Sequence, residues 1–76
     1  MISYKPFWET LEKSNETQYT LIHNHNISGT IIHRLKHNKN LQTDTIAKLC
    51  EIFNCDVSDI MEYTTEQGTT LENSEI

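Results

Sequence analysis

A chain of 76 residues predicts one small domain, near the lower end of what buries a self-sufficient core, and speaks against a two-lobed enzyme with a deep cleft. With 36% apolar and 22% charged residues, two glycines and one proline, the composition is that of an ordinary globule, not of a disordered or collagen-like segment. No apolar run reaches membrane-span length, Met1 to Lys13 lacks the pattern of a signal peptide, and Cys50 and Cys55 are too few for a secreted disulfide framework. A reducing, cytoplasmic setting is expected.

The net charge of −5 is unevenly spread. Residues 1–18 carry −1; residues 19–50 carry Arg34, Lys36, Lys39 and Lys48 against Asp44, giving +3, together with all four histidines. Residues 51–76 hold no lysine or arginine and seven acids, giving −7. Such a chain presents a locally basic face to an anion, while its acidic end keeps it soluble and limits indiscriminate binding.

In chain order, Ile2 and Tyr4 alternate with polar residues and predict a short strand that pairs with Glu62 to Thr64. Pro6 suits a first helical turn, and Phe7, Trp8 and Leu11 supply the apolar stripe of a helix over residues 6–14. Thr17 caps a second helix with Leu21 and Ile22 turned inward, and Asn26 tolerates the left-handed conformation of a tight stop. Ile27 returns to the core, and Ser28 caps a third helix to about His37, buried through Ile32 and Leu35.

Thr43 is the expected cap of a fourth helix, whose Ile46, Leu49, Cys50 and Phe53 form the cleanest amphipathic pattern in the chain. Asn54 ends it, Cys55 and Val57 turn inward, and Asp56 with Asp59 caps a fifth short helix through Ile60 and Met61. The expected architecture is an all-α, five-helix domain over residues 1–63, with a short pair of terminal strands, followed by an acidic, flexible tail over residues 64–76.

Two short helices joined by a tight corner suggest a helix-turn-helix. The residues themselves resemble a known family. Thr17-Gln18-Tyr19-Thr20-Leu21, Asn26-Ile27-Ser28 and Ile32-His33-Arg34-Leu35 look like the Cro and phage-repressor (XRE-like) helix-turn-helix family. Asp44 to Cys50, Phe53 to Val57 and Asp59 to Tyr63 are similar to its branch of small bacterial regulators, so the likeness spans about residues 3–63. Four positions depart from the pattern. Ile22 replaces a small residue, Asn26 and Asn38 replace frequent glycines, and Lys36 replaces a common glutamate, adding positive charge beside the groove-facing helix.

The resemblance implies a lambda-repressor-like domain with residues 28–37 as recognition helix in the major groove of duplex DNA. Counting about 100° per residue from Ile32 and Leu35 puts Gly29, Thr30, His33, Arg34 and His37 on or beside the opposite face, with Ser28 at its start. Arg34 suits a guanine edge or a phosphate, Thr30 and His33 suit base edges, and Gly29 allows close backbone approach. Gln18 and Tyr19, and Lys36, Asn38, Lys39 and Asn40, match places where the family holds the sugar-phosphate backbone. The resemblance further implies a transcriptional regulator, a repressor acting by promoter occupancy, and a homodimer on a pseudopalindromic operator.

Other readings stand beside these. Arg34 also suits an ion pair with Glu9 or Glu12, Ile31 suits a thymine methyl or a packing contact, and Phe7 and Trp8 suit the core better than a stacking platform. His33 and His37, four apart, lack a second matching pair, so no metal site is expected; their imidazoles instead predict DNA binding that tightens from about pH 8 to about pH 6. Cys50 and Cys55 lack the basic neighbours of a nucleophile, and no phosphate loop or carboxylate pair can be assembled, so neither enzyme activity nor a cofactor is expected. The competing class is a protein-interaction module, like an antitoxin or antirepressor, that uses Tyr63, Glu62 and Glu66 of the acidic end.

Overall fold

The computed structural model describes residues 1–65. It orders the chain as β1 (Ile2–Ser3), α1 (Lys5–Lys13), α2 (Gln18–His25), α3 (Gly29–Lys36), α4 (Thr43–Phe53), a 3₁₀ turn (Val57–Asp59) and β2 (Glu62–Tyr63). The expected acidic tail lies, after Thr65, outside the described residues.

The core is a single cluster of Tyr4, Phe7, Leu21, Ile27, Ile32, Leu35, Ile46, Leu49 and Ile60, so every helix contributes to it. Trp8, Leu11, Ile31, Cys50, Phe53 and Cys55 pack around its margin. Phe7, fully buried, meets Trp8 and Phe53 edge-on at 4.8 and 5.9 Å between ring centres, an arrangement favoured by the aromatic quadrupole. Phe7 N–H, one of the free donors of the first turn of α1, is satisfied by the Ile60 carbonyl at 3.1 Å. That bond ties the two ends of the fold together.

Three helix stops use the same device. Asn26, Asn38 and Asn54 all have left-handed backbones, with φ of 59°, 55° and 53°. After each, the chain turns back onto its helix: Ile27 N–H reaches the Leu21 carbonyl, Lys39 N–H the Arg34 carbonyl and Cys55 N–H the Cys50 carbonyl, at 2.9–3.0 Å. Asparagine does here what glycine does most often, since it is one of the few residues with a Cβ that enter this region readily.

The start of α2 is closed reciprocally. Thr20 N–H donates to Thr17 Oγ1 at 3.1 Å, and Thr17 N–H donates to Thr20 Oγ1 at 2.8 Å. Ser28 Oγ similarly accepts from Ile31 N–H at 3.2 Å to start α3.

Several expectations need correction. Among the described residues there are four α-helices, not five, because the stretch between the Asn54 stop and β2 leaves room only for one 3₁₀ turn, closed by Asp59 N–H to Asp56 O and Ile60 N–H to Val57 O, each 2.9 Å. Gln42, not Thr43, is the residue before α4, and its carbonyl takes Thr45 and Ile46 N–H. Val57 is exposed, the 3₁₀ turn being too short to carry it inward with Ile60. Ile22 is also exposed, because Leu21 alone occupies the inward line of the short α2. The strand pair is present, antiparallel, with Ile2 opposite Tyr63 and Ser3 opposite Glu62. Tyr4 has left that strand: it precedes α1 and is buried.

Two predictions follow from these local structures. Asn26→Ala forces a β-carbon residue with less αL tolerance into φ 59°, and is expected to cost about 1 kcal/mol in urea unfolding, while Asn26→Gly costs nothing or stabilises. An alanine variant as stable as wild type would remove the left-handed stop as the reason for asparagine. The second concerns Glu16, whose carboxylate accepts the Thr20 hydroxyl at 2.7 Å and lies 3.2 Å from His25 Nε2. The Thr20 hydrogen bond first, and His25 after it, outweigh partial burial and hold the Glu16 carboxyl below the usual glutamate range. A depressed acid stabilises the fold above its unfolded-state pKa and loses that contribution as pH falls through the folded one. Thr20→Val is therefore expected to move the Glu16 carboxyl titration, followed by NMR, upward toward the ordinary value; an unmoved titration contradicts the assignment.

Candidate nucleic-acid interface

Burial of Ile32 and Leu35 fixes the roll of α3. With these two inward, Gly29, Thr30, His33, Arg34 and Lys36 face solvent, and the exposed stretch continues through His37, Asn38, Lys39 and Asn40. Ile31 sits between the two faces, half-buried against the core. Gln18 and Tyr19, at the exposed start of α2, complete the predicted set together with Ser28. All twelve predicted residues are thus at the surface.

Their surroundings differ. Ser28 Oγ is engaged as the cap of α3, which leaves its hydroxyl hydrogen for another acceptor. A β-carbon added at Gly29 would meet nothing within 4 Å, so nothing inside the domain requires glycine there. His33 and His37 lie against each other, ring centres 4.3 Å apart, and form one imidazole surface along the outer side of α3. On α2, Tyr19 stacks on His23 at 4.1 Å in the same i, i+4 manner. His23 therefore joins the exposed rim through Tyr19. Among the described residues no group of three or more histidines, cysteines or acids is placed to hold a metal ion.

Among the described residues no carboxylate is within ion-pair distance of Arg34. Among the described residues the one ion pair is His25 with Glu16. Glu9 and Glu12 share a shallow cleft with Trp8, Leu35 and Lys36, which Arg34 does not line. The basic residues His33, Arg34 and Lys36 occupy the last turn of α3, where positive charge also complements the free carbonyls of the helix end.

Asn38 carries a role that the sequence did not disclose. Its Oδ1 accepts the Tyr4 backbone N–H at 2.9 Å, so one side of its amide faces inward. Tyr4 in turn donates its hydroxyl to the Lys39 carbonyl at 2.7 Å, and burial pushes the Tyr4 phenol pKa up. Trp8 Nε1 donates to the Leu35 carbonyl at 3.3 Å. A buried tyrosine or tryptophan needs a partner for its polar atom, and that requirement was the only available signal for both contacts.

The cysteines are free and half-buried, and burial, with Cys50 and nearby acids, pushes the Cys55 thiol up, which disfavours its thiolate. Among the described residues no helix is long and apolar enough to cross a membrane.

Comparison with known proteins agrees with this geometry. The Cro/C1-type HTH DNA-binding domain matches residues 7–66, most of the chain. The crystal structure of the transcriptional regulator VanUg (Form II) is similar, with a TM-score of 0.72 and 28% identity over 80% of this chain and 81% of that one. No curated protein matches. With its capped corner at Asn26 and an outward-facing α3 inside the matched region, the chain belongs to the Cro/C1-type helix-turn-helix DNA-binding family.

Proposed function

We propose that this chain is a sequence-specific, duplex-DNA-binding transcriptional regulator that represses by occupying a promoter. The observation that carries the reading is the outer face of α3, where Arg34 stands exposed with no acidic partner among the described residues, backed by the buried Ile32 and Leu35. Membership of a DNA-binding family and likeness to a solved transcriptional regulator support it.

In this reading α3 enters the major groove. Arg34 pairs with a guanine edge or grips a phosphate, while Thr30 and His33 read neighbouring bases. The open space at Gly29 receives the DNA backbone or a base edge. Gln18, Tyr19, Lys36, Asn38, Lys39 and Asn40 hold the sugar-phosphate backbone, with Ser28 and His37 at the two ends of the helix. Repression needs occupancy alone, with no cofactor. The protein works in the cytoplasm, where its DNA is.

The same reading makes it a homodimer on a pseudopalindrome. Ile2 and Tyr63 lie opposite each other in the terminal sheet and are both exposed, and Met1 and Val57 add further apolar surface. Pairing of two copies through this end would set two α3 helices about one DNA turn apart, roughly 34–36 Å.

The test is selection from a random duplex library at low salt, followed by titration of the enriched duplex with wild type, Arg34→Ala and Gly29→Ala. The expected result is a convergent inverted repeat, with affinity falling at least about tenfold in Arg34→Ala, equivalent to a good base contact of about 1–3 kcal/mol. Gly29→Ala is expected to weaken DNA binding while leaving the melting temperature of the free protein equal or higher, since alanine is the better helix former and fits without a clash. Absence of any enriched sequence, or affinity indifferent to Arg34, would contradict the reading and move the search to protein partners of the acidic end.

A further inference from the structure

We propose that Tyr4, buried beneath the Asn38–Lys39 segment, is a positioning residue that aims Lys39 at the DNA backbone. The inference rests on the DNA-binding reading and deepens it.

Tyr4 is 2% exposed, yet both its hydrogen-bond donors reach across the fold into one exposed segment 34–35 residues away. Its backbone N–H is held by Asn38 Oδ1 at 2.9 Å, and its hydroxyl donates to the Lys39 carbonyl at 2.7 Å. The Lys39 N–H is taken by the Arg34 carbonyl at 2.9 Å. Both backbone polar groups of Lys39 are therefore bonded, one to the recognition helix and one to a core side chain. Asn38, in the left-handed conformation, makes the turn between them.

An exposed segment after a helix ordinarily keeps its freedom through unpaired backbone groups. Here the root of Lys39 is fixed although its side chain is in solvent. A long lysine loses rotamer and backbone freedom when it settles on a phosphate, and a fixed root removes the backbone part of that cost before binding. The contacts also link the DNA-facing loop to the start of the chain. Tyr4 directly follows β1, whose neighbour Met1 is pinned by its ammonium group to the Thr64 carbonyl at 2.7 Å.

Tyr4→Phe removes one hydroxyl, keeps the ring in the core, and leaves the Asn38 bond to the backbone N–H in place. The experiment titrates the enriched duplex and a scrambled duplex at several salt concentrations with wild type, Tyr4→Phe, Lys39→Met and the double variant, with Arg34→Ala alongside. The expected result is a several-fold loss in Tyr4→Phe that is equal on the two duplexes. Its salt dependence should be shallower by up to about 0.9 in slope, the share of one phosphate contact. The double variant should lose no more than Lys39→Met alone. A merely structural role for Tyr4 would lower the fraction folded without altering the slope, and its loss would add to that of Lys39→Met. Additive losses, or a wild-type slope in Tyr4→Phe, overturn the proposal while Arg34 dependence leaves the DNA reading intact. Failure of wild type to bind any duplex removes both. If Tyr4→Phe melts below the assay temperature, the same titrations are run at a lower temperature at which circular dichroism shows it folded, and additivity with Lys39→Met decides in the same way.

Discussion

Burial of Ile32 and Leu35, at 5% and 1% exposure, decides what α3 offers to the outside. Each contributes roughly 1.5–3 kcal/mol by leaving water. Rolling the helix to present another face would forfeit both, a large share of the roughly 5–15 kcal/mol that holds a small domain together. The outward set of Gly29, Thr30, His33, Arg34 and Lys36 is thus a consequence of core packing, and buried residues define the face that α3 presents.

The ends of the helices supply the second constraint. A helix-turn-helix works only if the corner is sharp and reproducible, and here asparagine provides that at Asn26 and again after α3 at Asn38. At Asn26 the left-handed turn brings Ile27 directly into the core. At Asn38 the same conformation turns Lys39 back on Arg34, and the side chain is used a second time to receive Tyr4. One residue type meets both a backbone and a side-chain requirement, which glycine in its place would not.

Much of this was legible in the sequence. The helices, the caps at Thr17 and Ser28, the stops at Asn26 and Asn54 and the inward pair of α3 all follow from apolar spacing and from side chains that bond their own backbone. The errors arose in short elements. Cys55 to Ile60 reads as a capped helix, yet three residues of 3₁₀ turn satisfy the same caps, and a turn that short leaves Val57 in solvent. Ile22 looks like a core residue next to Leu21, but an eight-residue helix with one buried position has room for only one of them. The contacts of Tyr4 with Asn38 and Lys39 join residues more than thirty apart, and no local pattern encodes a pairing at that distance. Net charge is a poor guide for the same reason: −5 overall coexists with +3 in the block that contains α3.

The central claim is that the outer face of α3, with its flanking segments, meets duplex DNA. Amide chemical-shift mapping of the isotope-labelled protein against its selected duplex tests this residue by residue, without any substitution. The account predicts that the largest changes fall on Gln18, Tyr19, Ser28 to Thr30, His33, Arg34 and Lys36 to Asn40. Changes centred on Val57, Glu62 and Tyr63 with α3 unmoved would contradict it.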